Sequence, residues 1–144
     1  RMKYVIDAYA WIEYFIKSEK GLKVKGIVES QENEIFTSLI TIAEVSSISM
    51  REKRDAETGN KVIINLSEIY PVSMEFAKES GILHAEIRKK IKDFGLAEAF
   101  VLLAARKLNA KILTGDFQET MLLASSAAKC LASSSSLESN LPSW

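Results

Sequence analysis

A chain of 144 residues with 47% hydrophobic and 26% charged side chains has the size and composition of one folded domain around a single core. Its 19 basic and 19 acidic residues cancel, which argues against a nucleic-acid coat protein, and the lone Cys130 allows neither an internal disulfide nor a zinc cage. No apolar run approaches the ~20 residues of a bilayer-spanning helix, and Arg1-Met2-Lys3 enters Tyr4-Val5-Ile6 without an apolar leader, so no membrane association and a cytoplasmic location are expected.

From the start of the chain, Tyr4-Val5-Ile6 is a β-branched and aromatic run that predicts a first strand. Ala8, Trp11, Ile12, Phe15 and Ile16 then share one face at helical spacing, with Glu13 and Lys17 expected as an i,i+4 pair outside. Residues 20–31 give a weaker helical pattern before a second strand at Ile35 to Thr37. Leu39 to Lys53 predicts a helix, 55–67 a weaker one, and Ile69 to Val72 a third strand. Pro71 in that strand lacks the amide hydrogen that a central ladder position uses, which places the strand at a sheet edge. Ser73 is the expected N-cap of a helix running to Lys92, with Leu83, Ile87 and Ile91 on one stripe. An unbroken helical pattern over 96–108, carrying Ala97, Phe100, Val101, Ala104, Ala105 and Leu108, leads into a fourth strand at Lys111 to Leu113.

Strands joined through helices of this length are parallel neighbours with right-handed crossovers, covered on both faces. The expected class is therefore α/β, a three-layer α/β/α sandwich with a central parallel sheet of four or five strands. From Ser125 the chain turns Ser-rich and loses any strand signal, so residues 2–124 are expected to form the domain and 125–144 a Ser-rich C-terminal tail that begins as a loose helix. Basic groupings at Arg51 to Arg54, Arg88 to Lys92 and Arg106-Lys107 read first as solvated helix faces and second as phosphate contacts.

An open parallel sheet binds ligands beyond the carboxyl ends of its strands, and four acids fall on that predicted rim. Asp7 follows the first strand, Glu44 lies in the first turns of the helix after the second, Glu98 opens the helix over 96–108, and Asp116 follows the Thr114-Gly115 turn after the fourth strand. Each has an ordinary explanation. Asp7 and Asp116 are good N-caps, Thr41 to Glu44 fits a capping box, and Glu98 in a first turn faces the helix dipole favourably. Brought together, however, they repel: two charges ~4 Å apart cost about 4 kcal/mol at an effective dielectric of 20. A hard divalent cation removes that cost. Carboxylate oxygens with no His or Cys beside them suit Mg²⁺ or Mn²⁺ and not zinc, and His84, mid-helix and remote from these turns, is expected to pack or to face solvent.

Four segments together carry a family resemblance: Asp-Ala-Tyr-Ala-Trp-Ile-Glu-Tyr-Phe at 7–15, Ser-Leu-Ile-Thr-Ile-Ala-Glu-Val at 38–45, Gly-Leu-Ala-Glu-Ala-Phe-Val-Leu-Leu-Ala-Ala at 95–105 and Ala-Lys-Ile-Leu-Thr-Gly-Asp at 110–116. In order and spacing they resemble the PIN-domain nucleases, most closely the VapC-type toxin ribonucleases of prokaryotic toxin-antitoxin pairs. The resemblance spans residues 3 to about 117. It implies a parallel sheet, one or two Mg²⁺ or Mn²⁺ ions, endonucleolytic cutting of RNA, a cognate antitoxin that inserts into the cleft, and a homodimer. On that basis Asp7, Glu98 and Asp116 hold the metal, and Glu44 ligates directly or orients the attacking water. Thr114, as a hydrogen-bond partner of the acids, and Asp93, as an outer acid or as the N-cap of the next helix, are supporting candidates.

The chain departs from the family pattern in two places. Glu98 stands where the family usually has aspartate, and the Ser-rich end offers no convincing last strand. Three other readings remain open on the residues alone: a housekeeping RNA-processing PIN nuclease, a catalytically silent PIN-like binding module, and a receiver-like phosphoacceptor domain. The last wants adjacent acids at the end of the first strand, which this chain lacks.

Overall fold

The structure is a computed structural model that describes residues 1–115. Strand β1 (Met2–Ile6) is followed by helices α1 (Ala8–Ile16) and α2 (Glu19–Val28), strand β2 (Asn33–Ser38), helices α3 (Leu39–Arg51) and α4 (Ala56–Leu66), strand β3 (Glu68–Tyr70), helices α5 (Met74–Arg88) and α6 (Leu96–Leu108), and strand β4 (Lys111–Leu113). All described strands pair in parallel, in the order β3-β2-β1-β4. The third strand is an edge strand, as expected, but it spans Glu68–Tyr70 and Pro71 sits just past its last ladder residue, so the missing amide hydrogen is not what imposes that position. No helix among the described residues is long and apolar enough to cross a membrane.

The alternation of a strand decides which residues meet which layer. Val5 and Phe36 are register partners, and with Ile112 they pack against α6. Tyr4, Ile6, Ile35 and Leu113 point the other way and join Trp11, Val24, Val45 and Ile63 from α1 to α4. Helices α5 and α6 share their own core of Phe76, Leu83, Ile87, Phe94 and Phe100. The three layers expected from the sequence are thus α1–α4, the sheet, and α5–α6.

Helix starts follow local chemistry. Side-chain oxygens of Asp7, Ser18, Asp55 and Ser73 accept the free amides of Ala10, Gly21, Thr58 and Phe76. Three finer expectations are corrected. Glu13 does not pair with Lys17, because Lys17 turns left-handed past the end of α1 (φ 56°) and Glu13 instead receives the Ser18 hydroxyl. Thr41 is not the cap of α3; Ser38 is, and Thr41 lies buried inside the helix. Helix α5 stops at Arg88 and not at Lys92, since Phe94 folds back into the core and its carbonyl meets His84 Nε2 at 3.0 Å. His84 is accordingly a packing residue, stacked on Phe94.

One buried polar chain ties the α1–α4 layer to the sheet. Trp11 Nε1 donates to Thr37 Oγ1 at 3.1 Å, Thr37 Oγ1 meets Ser67 Oγ at 2.8 Å, and Ser67 Oγ donates to the Ile63 carbonyl at 2.8 Å. The Thr37 and Ser67 hydroxyls are both used in this way, so α1, β2 and the end of α4 are fixed relative to one another. Close approach of α2 to α1 is set by Gly21, where a Cβ would overlap the Glu13 carbonyl. Gly21→Ala is expected to destabilise the domain by about 2 kcal/mol or more, as overpacking against an immovable backbone does; urea unfolding of the variant against wild type measures it.

Candidate active site

The carboxyl edge of the sheet is built by register. Val5 pairs with Phe36 and Ile6 with Leu113, so the next step along each strand sets Asp7 between Ser38 and Thr114. Ser38 in turn pairs with Tyr70. Asp7 N donates to the Leu113 carbonyl at 3.0 Å, which prolongs the ladder by one bond and fixes the aspartate at the sheet's end. Its Oδ1 accepts Ala10 N at 2.8 Å, so the capping explanation for Asp7 is correct. By strand alternation its side chain falls on the same side as Val5, the side of α6.

Glu98 is the third residue of α6 and comes from that side. Gly95 caps α6 without a side-chain bond, and Glu98 Oε1 lies 3.9 Å from where a Gly95 Cβ would stand. The carboxylate therefore curls over the open end of its own helix, where free amides and the dipole favour negative charge. Glu44 arrives from α3. Ile40 packs into the α5–α6 core, and Glu44, one turn further on the same helical face, is carried toward the same place.

These three acids interact. The carboxyl of Asp7 is pushed up from 3.8 to about 7, chiefly by burial, against the lowering effect of the Ala10 hydrogen bond, with further upward pushes from the charges of Glu44 and Glu98. Glu44 is raised by burial and then by Glu98. Three sequence-predicted site residues are thus brought into one electrostatic neighbourhood, and Asp7 in addition caps its own helix. Asp116 lies outside the described residues. Asp93 is exposed, does not cap α6 and does not figure among the charges acting on Asp7 or Glu44. Thr114 follows β4 beside Asp7, half-buried.

One group that the sequence did not single out, Ser38, belongs to this rim. Ser38 is fully buried, as is Thr41 in α3, and neither hydroxyl has a hydrogen-bond partner among the described residues. Ser38 ends its strand as Asp7 does, which is the only sequence signal it carries. Gly115 supports the last turn: a Cβ there would stand 3.2 Å from Tyr9 Cβ, so the turn after β4 lies directly on the first turn of α1.

Among the described residues no three His, Cys, Asp or Glu side chains form a ready-made coordination cage. The donor set nevertheless fits a hard divalent cation. It consists of carboxylates without His or Cys, two of them held above their ordinary pKa, and the unpartnered Ser38 hydroxyl beside Asp7 is a polar atom that an ion's hydration shell would satisfy.

Fold and rim together define a doubly covered parallel α/β domain that gathers carboxylates at the carboxyl ends of its strands. Residues 4–118 match the model of the PIN domain, and the chain belongs to that family. Among solved structures it is similar to VapC20 of Mycobacterium tuberculosis, described as a sarcin-ricin-loop-cleaving toxin, with TM-score 0.65 and 13% identity over 79% of this chain and 90% of that one. It is also similar to VapBC2 of Rickettsia felis, described as bound to a DNA fragment from their promoter, with TM-score 0.63 and 18% identity over 81% of this chain and 90% of that one. At such identities the likeness is one of fold. No curated protein matches the sequence significantly.

The raised carboxyl of Asp7 has a consequence for stability. Folded Asp7 keeps its proton up to about pH 7, whereas the unfolded chain releases it near 3.8, so the folded state is progressively penalised as pH rises between those values and fully penalised above them. Asp7→Asn keeps a capping oxygen and removes the charge. The variant is expected to melt higher than wild type by on the order of 5 °C at pH 8 in metal-free buffer, with the gain shrinking toward zero near pH 4; thermal scans across that range check it.

Proposed function

We propose that this chain is a metal-dependent endoribonuclease that hydrolyses RNA phosphodiesters, acting as the toxin of a type II toxin-antitoxin pair in the cytoplasm. The observation that carries the reading is the convergence of Asp7, Glu44 and Glu98 from β1, α3 and α6, where burial first and the neighbouring charges after it raise the carboxyls of Asp7 and Glu44. Membership of the PIN family supports nuclease chemistry, and the likeness in fold to VapC20 and VapBC2 supports the toxin form of it. The sequence resemblance supports a cognate antitoxin and a homodimer.

In this reading Asp7, Glu98 and Asp116 hold one or two Mg²⁺ or Mn²⁺ ions, with Glu44 as a further ligand or as the group that orients the attacking water. When bound, the ion supplies Lewis-acid stabilisation of the charge that develops on the scissile phosphate. The protein's own part is positional. Ala10 N–H fixes the plane of the Asp7 carboxylate through Oδ1, and the bond from Asp7 N to Leu113 holds its backbone to the sheet. Glu44, raised by burial and by its neighbour Glu98, is suited to take up the proton of the attacking water on a carboxylate oxygen. The Trp11–Thr37–Ser67 chain keeps the start of α1 from shifting against β2 as charge builds.

A glutamate at 98 also motivates the rival of a silent PIN-like module, and two measurements separate the readings. Cleavage of structured RNAs in Mg²⁺ or Mn²⁺ is expected from wild type and expected to fall by on the order of a hundredfold or more in Asp7→Asn; equal rates would end this mechanism. Calorimetric Mn²⁺ binding is expected to weaken as pH drops below about 7, because Asp7 must lose its proton to ligate. A protein that binds no divalent ion at pH 8 is the silent module.

A further inference from the structure

Exposed apolar side chains stand at the starts of three helices that open on the acidic rim: Tyr9 in α1, Leu39 in α3 and Leu96 in α6, 64%, 49% and 51% exposed. Single exposed apolar residues are ordinary on protein surfaces. What separates Tyr9 from that background is its place and its mounting. One residue separates it from Asp7, and its backbone amide is turned to the Asp7 carboxylate. Gly115 packs close to its base: a Cβ there would stand 3.2 Å from Tyr9 Cβ and 3.5 Å from its carbonyl, so a larger residue would press on Tyr9. The side chain has no ring or hydrogen-bond partner among the described residues. An aromatic face on a closely packed base is therefore presented at the mouth of the carboxylate cluster, and no ring or hydrogen-bond contact among the described residues accounts for it.

Charge at the same end of the molecule points to what would lie there. The segment between α5 and α6 runs from Arg88 to Gly95, the residue that caps α6 three positions before Glu98. Arg88, Lys89 and Lys92 are exposed along it. Lys89 is held by Glu86 at 3.0 Å, whereas Arg88 and Lys92 have no ion pair among the described residues. An acidic centre repels a polyanion, so flanking cations must supply the attraction for the backbone, and a neutral aromatic face next to the acids is suited to a base.

We propose that Tyr9 is a substrate-positioning residue, a stacking platform for an unpaired RNA base next to the scissile phosphate, with Arg88 and Lys92 contacting backbone phosphates on the α5–α6 side of the rim. The inference rests on the nuclease reading and deepens it: the base must leave its own helix to reach the ring, so the favoured substrate presents an unstacked nucleotide at the cut.

The test uses the full chain with Mn²⁺ and short fluorescent single-stranded RNAs, each carrying one abasic position. Tyr9→Ala is expected to lower kcat/KM roughly tenfold, mainly through KM, without changing the melting temperature, while Tyr9→Phe and Tyr9→Trp stay within about twofold of wild type. One abasic position near the cut should reduce wild type to the level of Tyr9→Ala and leave Tyr9→Ala unaffected. The Arg88→Ala, Lys92→Ala double variant should flatten the dependence of binding on salt. Equal cutting by Tyr9→Ala and wild type overturns the proposal, as does an abasic penalty of the same size in both. Loss of partner-protein binding by Tyr9→Ala with RNA cutting intact also overturns it and assigns the ring to a protein contact. If wild type cuts no RNA, the nuclease reading fails separately. Oligonucleotide binding then decides the platform: weaker binding by Tyr9→Ala upholds it, and equal binding removes it.

Discussion

The negative charge of Asp7 is the feature against which the rest of this structure is arranged. A carboxylate drawn out of water at the end of β1, with Glu44 and Glu98 acting on it, is an unfavourable group that a folded protein keeps only when its surroundings leave it no escape. Here they leave none. The Asp7 amide is bonded to β4, its Oδ1 is bonded to α1, and both neighbouring strands run parallel to β1 and end at the same level. Parallel pairing is what turns a local preference for aspartate at a helix cap into a shared site, because it brings successive strand ends to one edge.

The repulsion is spread over separate elements, and separate packing contacts oppose it. Glu98 is eased by the open end of α6, where the dipole offsets part of its charge. Glu44 is carried by α3, whose Ile40 is anchored in the α5–α6 core while Val45 and Ile48 are anchored on the other side of the sheet. A helix pinned in both cores cannot swing its acid away. Beneath the rim, the Trp11–Thr37–Ser67 hydrogen bonds lock the α1 layer to β2, so relaxation there would cost buried polar contacts. On the proposed metal-dependent reading such an arrangement is preorganised for a cation, since the repulsion that a bound ion would relieve is already present among its acids.

The same geometry divides the surface around the site by task. Acids occupy the floor, apolar side chains from three helix starts stand at the mouth, and cations gather on the turn between α5 and α6. A zero formal charge over the whole chain conceals this division. Composition therefore speaks against indiscriminate binding of nucleic acid and is silent about a short local track on which backbone and base are recognised by different groups.

The sequence by itself determined the order and type of the elements and the caps at Asp7 and Ser73, because these follow from short-range periodicity and side-chain oxygens next to free amides. It also carried the family, through four motifs in order. It misjudged Thr41, whose spacing from Glu44 imitates a capping box, and Lys17, whose partner was lost when the chain turned left-handed at the end of α1. Only the tertiary structure decided that Glu44 and Glu98 act on Asp7, that the Ser38 hydroxyl is buried beside Asp7 without a partner among the described residues, and that Gly115 packs close to Tyr9. Those are relations between residues tens of positions apart, fixed by strand register and by which core each helix enters, and no local pattern encodes a distance across the sheet.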